Sequence, residues 1–247
     1  MEQTRRGSWT RRRLTAAAMA GVMSFGGTAC GVVLEAPPSS SSTGTQAEHG
    51  EAAGTTYTTA DILGRLATLE VKGRAPKTGY TREQFGDGWT ELGNCDTRDR
   101  ILIRDLHDEV VAQPSCEVQS GILDDPYTGK RISFVKGPKT SEAIQIDHVV
   151  PLSNAWQTGA QQMSKARRIE FANDPLNLLA VDGPTNNKKG DGDAATWLPP
   201  RRDEWCEYVA RQVLVKDKYD ELWVTPPEHA AMERVLDSCV GQMITVK

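Results

Sequence analysis

The sequence contains no C-x-x-C pair, which argues against a structural zinc site of ribbon or finger spacing. It has no apolar run that would span a bilayer as a mature helix, because the one from Leu14 to Ala29 is too short and too rich in glycine. No internal repeat is visible. Positive charge is not in excess either: 29 Lys+Arg stand against 33 Asp+Glu, a formal net charge of −4. Residues 1–29 hold five of the arginines and one glutamate, so the remainder carries 24 basic and 32 acidic residues, a net of −8. A body of that sign does not coat nucleic acid by bulk electrostatics, so any nucleic-acid site is a local basic patch. No long basic helix or zinc finger offers base readout, which points to low sequence specificity.

What is present begins with an address. Arg5-Arg6 and Arg11-Arg12-Arg13 precede the weakly apolar run, and small residues follow it. Basic start, apolar middle and small residues before a break make residues 1–29 an export signal. The paired arginines suggest twin-arginine export, with the general route as the alternative. The run ends Gly26-Gly27-Thr28-Ala29-Cys30, which resembles a bacterial lipidation site, although Gly27 stands where leucine is usual. Cys30 is therefore either a lipid attachment point that tethers the chain to the membrane or a cysteine that follows ordinary cleavage. Residues 30–58 are rich in Ser, Thr, Gly, Ala and Pro and lack apolar periodicity, as a flexible tether does. Residues 59–247 suit one globular domain.

Setting Cys30 aside leaves Cys95, Cys116, Cys206 and Cys239. An even count in an exported chain favours two disulfides over a zinc site. Of three possible pairings, Cys95–Cys116 and Cys206–Cys239 are preferred, since each joins neighbouring elements on one side of the central stretch.

Within the domain, Ile62, Leu63, Leu66 and Leu69 recur at helical spacing over 59–71, with Thr58 or Thr59 as N-cap. Residues 73–93 are turn-rich, with Phe85 and Trp89 as anchors. Residues 99–112 are ambiguous between strand and helix. Strands are expected at 116–123 and 131–135, joined by the turn Asp124-Asp125-Pro126-Tyr127-Thr128-Gly129. A strand over 143–150 ends at Pro151, a helix follows at 160–172, and a short buried strand spans 176–181. Residues 184–197 enter a helix, and two helices, 202–215 and 226–239, close the domain.

The candidate chemistry lies between residues 143 and 197. Phosphodiester hydrolysis needs a base for water and a cation for the charge that grows on phosphate. His148 is matched to proton transfer near neutral pH, and Asp147 offers the oxygen that a hard cation prefers. Asn186 supplies a neutral oxygen ligand, and the adjacent Lys188 and Lys189 would meet phosphate. Each of these residues alone is more often a turn, a solvated loop or a core histidine; their order together is what signifies. Asp147 and His148 are neighbours, so they share a site only where the strand bends or ends. A neutral base implies a rate that falls with pH, with an acidic limb between about pH 5 and 8. His49, His107 and His229 are not expected to be ligands. The tryptophans, Trp156, Trp197, Trp205 and Trp223 among them, are read mainly as packing residues.

The stretch IDHVVPLSNAW…FANDPLNLLAVDGPTNNKKGD, within residues 144–191, resembles the HNH nucleases. It is closest to the branch related to the C-terminal nuclease domain of GmrSD-type restriction enzymes, found in many exported actinobacterial proteins. Asp147, His148 and Pro151 match the D-H-x-x-P element, Asn177 the asparagine before the second strand, and Asn186 and Lys189 the N-x-x-K element. The flanks NCDTRDRILIRDL, DDPYTGK and AATWLPP extend the likeness over residues 90–240. The resemblance implies an α+β fold: a ββα-metal core with added N-terminal strands and helices, two C-terminal helices and two disulfides. It implies one divalent cation, Mg²⁺ or Mn²⁺, on Asp147 and Asn186. His148 would be the general base, Asn177 would orient its loop, and Lys189, with Lys188 second, would contact phosphate. Asp191 is a weaker candidate for the outer shell of the cation. The implied partner is nucleic acid, DNA and possibly RNA, met outside the cytoplasm, and no protein partner is evident. The alternatives are a phosphodiesterase for another substrate and a non-catalytic envelope lipoprotein that retains the fold.

Overall fold

A computed structural model describes residues 54–247. Cys30 and the export signal lie outside the described residues. Among the described residues no helix is long and apolar enough to cross a membrane.

The chain enters through β1, Thr55–Thr58, which pairs antiparallel with the last strand, β9, Met243–Val246. The end of the expected tether is therefore part of the fold, because Tyr57 packs against the main core and the strand has a partner to satisfy its backbone. Thr58 then caps α1, Thr59–Thr68, in a reciprocal box with Asp61. After a turn-rich stretch, β2 (Glu91–Leu92) and β3 (Cys95–Asp96) make a short hairpin. Asp96 caps α2, Thr97–Asp105, and β4, His107–Val111, follows at once. The ambiguity over 99–112 thus resolves into a helix and then a strand. Ile101 and Leu102 are buried on the helix, while burial alternates along β4.

Strands β4, β5 (Val118–Asp124) and β6 (Arg131–Val135) form an antiparallel meander. Next come β7, Ile144–His148, and two helices, α3 (Leu152–Gln157) and α4 (Lys165–Ala172). The single helix expected over 160–172 is shorter, because Met163 leaves the helical region and Ser164 caps a new start. Helix α3 was not expected at all: six residues are too few to show a period. Then follow β8 (Leu178–Asp182), α5 (Gly183–Lys189), α6 (Trp205–Lys218) and α7 (Pro226–Asp237). The result is an α+β fold, held by disulfides Cys95–Cys116 and Cys206–Cys239 as preferred from the sequence.

One unit positions the site. Strands β7 and β8 pair antiparallel from Ile144↔Asp182 to His148↔Leu178, and α5 follows β8 without a loop. Ile144, Ile146, Leu178 and Ala180 face one core cluster beside α2, while Leu179 and Val181 face another under α6 and α7. A strand pair buried on both faces is held in register, since a one-residue slip would reverse every side chain. Gly183 starts α5 where a Cβ would sit 2.1 Å from the Glu142 carbonyl oxygen, so only glycine lets the helix begin this close to β7.

Candidate active site

The end of β7 and the face of α5 border a cleft of about 660 Å³. Gln145, Asp147 and His148 line it from β7, and Asn186 and Asn187 from α5. Ser153 and Asp191 also reach it, and Lys77, Tyr80, Arg82, Trp89 and Arg98 form the wall supplied by the N-terminal part.

Neighbours on a strand share this cleft because the strand stops. The ladder ends at His148, and the next backbone groups turn to Asn177. Val149 N–H donates to the Asn177 carbonyl (2.8 Å), and Val150 N–H donates to Asn177 Oδ1 (2.8 Å). Asn177 Nδ2 returns a bond to the Val150 carbonyl (3.3 Å). Fully buried, Asn177 closes the segment after His148 with its own amide. It lies in the 3-10 turn Pro175–Asn177 just before β8, not in the strand.

His148 is buried, and its Nε2 lies 2.9 Å from the Ala172 carbonyl oxygen. A carbonyl only accepts, so Nε2 carries the proton and Nδ1 keeps its lone pair. The ring stacks on Trp89, with centroids 5.6 Å apart and planes 15° from parallel. Burial lowers its pKa to about 3; the Ala172 bond opposes this, and Arg82 and Lys189 add to it. The imidazole is neutral at ordinary pH, and its titration falls below the range of about pH 5–8 expected from the sequence.

Lys189 does not face the cleft as a phosphate contact. Its ammonium is buried and donates to Asp147 Oδ1 (2.8 Å), Asp147 Oδ2 (2.6 Å) and the His148 carbonyl (2.6 Å). Those three bonds use every N–H it has. Burial pulls its pKa down while Asp147 pulls it up. The last turn of α5 points inward here, a direction that a charge run in sequence does not disclose. Lys188 is exposed and lines a separate cleft with Arg74, Asp193 and Trp197.

Asp147 Oδ2 also accepts the Tyr127 hydroxyl. Of the roughly four lone-pair sites on a carboxylate, three are therefore used. Asn186 Nδ2 donates to Gln145 Oε1 (2.9 Å), which leaves its Oδ1 without a donor among the described residues. One open site on Asp147 and the Asn186 oxygen, on the wall of one cleft, fit a hard cation that keeps most of its water and meets substrate oxygens. Among the described residues no group of three His, Cys, Asp or Glu side chains forms a closed metal cage. Asp191 accepts from Ser153 Oγ (2.9 Å) and pairs with Lys77 (3.3 Å); the Ser153 bond is the main cause of its lowered pKa.

Several participants escaped the sequence reading. Tyr127 was visible only as an aromatic in a polar turn; Gln145 and the Ala172 carbonyl had no signal. Trp89 was read as an anchor but not as the partner of His148. Trp156 and Trp223 are buried, as packing residues are.

The family profile of the C-terminal domain of GmrSD restriction endonucleases matches residues 96–234. The match takes in the whole β7–β8–α5 unit and Arg98, and leaves Arg82 and Trp89 outside. A protein of Arthroderma benhamiae described as an uncharacterized secreted protein is 38% identical over 176 residues, which cover 70% of this chain and 82% of the relative. The likeness therefore reaches a fungal protein, outside the actinobacterial branch that the resemblance suggests. No solved structure matched. With its profile match spanning more than half of the sequence, the chain belongs to the family of GmrSD restriction endonuclease C-terminal domains.

Proposed function

We propose that this chain is an exported, metal-dependent HNH-type nuclease that hydrolyses phosphodiester bonds in DNA, and in RNA as a second substrate, with low sequence specificity. Family membership supports a nuclease hydrolase acting on nucleic acid. The observation that carries the finer reading is His148: neutral, held through Nε2, with Nδ1 available beside Asp147 and Asn186. A buried histidine that served packing alone would not need a carboxylate and an open amide oxygen on the same wall.

In this reading His148 Nδ1 takes the proton of the attacking water. The Ala172 carbonyl fixes the tautomer, and Trp89 holds the ring plane. Asn177 is a positioning residue that shapes the backbone after His148. Asp147 and Asn186 Oδ1 would hold Mg²⁺ or Mn²⁺, which when bound neutralises charge on the phosphate and the leaving oxygen. Lys189 fixes the Asp147 carboxylate and offsets its charge, so cation affinity is weak until substrate phosphate adds its own oxygens. Two disulfides and the secreted relative support an extracytoplasmic site of action. Lipid attachment at Cys30 remains part of the proposal, testable by metabolic labelling with a fatty acid.

The test is incubation of the oxidised protein with supercoiled plasmid, single-stranded DNA and RNA, with Mg²⁺, with Mn²⁺ or with chelator. Cleavage that needs a metal is the expected result. A folded protein that cuts none of the three with either metal would return the choice to another phosphodiester or to a binding role.

A further inference from the structure

The cleft contains charge that the proposed chemistry does not use. Of its acidic side chains, Asp147 is neutralised by Lys189, and Asp191 is paired with Lys77. That leaves Arg82 and Arg98 as cleft cations outside any ion pair, with Glu83 near the first and Asp96 and Asp99 near the second, on a protein whose net charge is negative.

Arg98 sits in the first turn of α2, half-buried. One of its terminal nitrogens donates to the Ile144 carbonyl (3.2 Å) and, more weakly, to the Ser141 carbonyl (3.5 Å). No carboxylate lies within ion-pair distance of it among the described residues. Nε and the other terminal nitrogen have no acceptor there, and burial lowers its pKa while the Asp99 and Asp96 carboxylates oppose the shift. These free donors are open to solvent, so water meets them in the free protein and an anion in the cleft can take its place. Arg82 opens the 3-10 turn Arg82–Phe85, is exposed, and has no hydrogen bond or ion pair among the described residues. It lies close enough to His148 to disfavour protonation of the ring. Both arginines precede the core motif within residues 144–191; Arg98 lies in a flank that shares the likeness, and Arg82 lies outside the family match.

We infer that Arg82 and Arg98 bind backbone phosphates of the polynucleotide substrate and draw its strand across His148, the task that the sequence assigns to Lys188 and Lys189. The inference rests on the nuclease reading and adds the residues that hold the substrate. Guanidinium suits the role, because its planar fork meets two phosphate oxygens at once and its charge does not titrate near neutral pH. An acidic body around a positive cleft also keeps contacts few and local, so binding depends on these two residues more than on diffuse attraction.

The test separates binding from cleavage. Fluorescence anisotropy of a labelled single-stranded oligonucleotide is measured with the full oxidised chain in chelator, across a salt series. Arg82→Ala and Arg98→Ala are each expected to weaken binding roughly tenfold and to reduce the slope of log K against log salt by about 0.7. Lys188→Ala should leave the slope unchanged. Arg98→Lys guards against a folding defect: it keeps charge but not the fork, and should restore the slope while recovering only part of the affinity. Wild-type binding with unaltered slopes in both alanine variants overturns the assignment and leaves the nuclease reading standing. A wild-type protein that neither binds nor cleaves any polynucleotide overturns both.

Discussion

Two buried lysine–carboxylate pairs invite comparison. In the helical lobe, Lys216 of α6 meets Glu228 of α7 at 3.0 Å, with side chains 0% and 1% exposed. At the cleft, Lys189 meets Asp147 at 2.6 Å, with 0% and 6% exposed. The chemistry is the same, but the surroundings differ. Lys216 donates otherwise to the Trp223 carbonyl, and Glu228 accepts from the Thr225 N–H as part of the α7 cap. Every partner there serves to lock α7 onto α6. Asp147 instead takes Tyr127 as a second donor, borders the cleft and precedes His148. A buried ion pair is thus structural or functional according to what its least covered atom faces, and not by its own strength.

The sharpest way to test that difference is to break both pairs alike. Lys216→Met leaves Glu228 buried and unpaired and should cost about 3–5 kcal/mol, a fall in melting temperature on the order of 10 °C. Cleavage per folded molecule should stay near wild type, as measured below the melting range. Lys189→Met should destabilise less, because Asp147 keeps the Tyr127 hydroxyl and an opening to water, yet should lower cleavage far more. Equal activity in the two variants would erase the distinction.

Reduction comes next in size. Cys206–Cys239 ties the start of α6 to the end of α7 across a separation of 33 residues, worth about 3–4 kcal/mol by chain entropy. Reductant should therefore lower the melting temperature, and hydrogen exchange should rise first in α6 and α7. An unchanged melt under reductant contradicts this.

The smallest effect concerns Glu204, at the entry to α6. Burial, with Glu207 second, raises its pKa to about 7. A carboxyl raised in the folded state binds its proton more tightly folded than unfolded, so its contribution is most favourable below the unfolded value and declines as pH rises toward 7. Glu204→Gln should remove that decline and raise the melting temperature at pH 8 by a few degrees, with little change at pH 4. A variant whose gain is equal at both pH values would show that Glu204 does not titrate in this window.

The sequence carried β5 to β8 and the two terminal helices, because alternation and helical period mark them and Thr225 caps α7, but β1, β2, β3 and β9 were not expected and β4 lay in a stretch left ambiguous. Asp147, His148, Asn177 and Asn186 stood out together through the resemblance, and the antiparallel pairing of β7 with β8 closes the α3–α4 insertion that separates them in sequence. What the sequence missed was direction and distance. Lys188 and Lys189 are adjacent, yet one is exposed and the other is buried on Asp147. Helical rotation separates neighbours by about a quarter turn, and nothing in two lysines says which will be inside. Tyr127, Trp89, Arg82 and Arg98 reach the cleft from before β7, through tertiary packing that leaves no local signature. The histidine environment was likewise invisible: Trp89 and Ala172 bury the ring and move its titration far below the ordinary range.

The most direct test is the cleavage rate of His148→Ala beside wild type on supercoiled plasmid, with Mg²⁺ and with Mn²⁺, between pH 5 and 8, in samples with matched unfolding midpoints. The expected result is a loss of about 10²–10⁴-fold in the variant, with no acidic limb from His148 in the wild type over that range. A folded His148→Ala protein that cleaves at the wild-type rate would contradict the assignment of the base and, with it, the functional reading of the cleft.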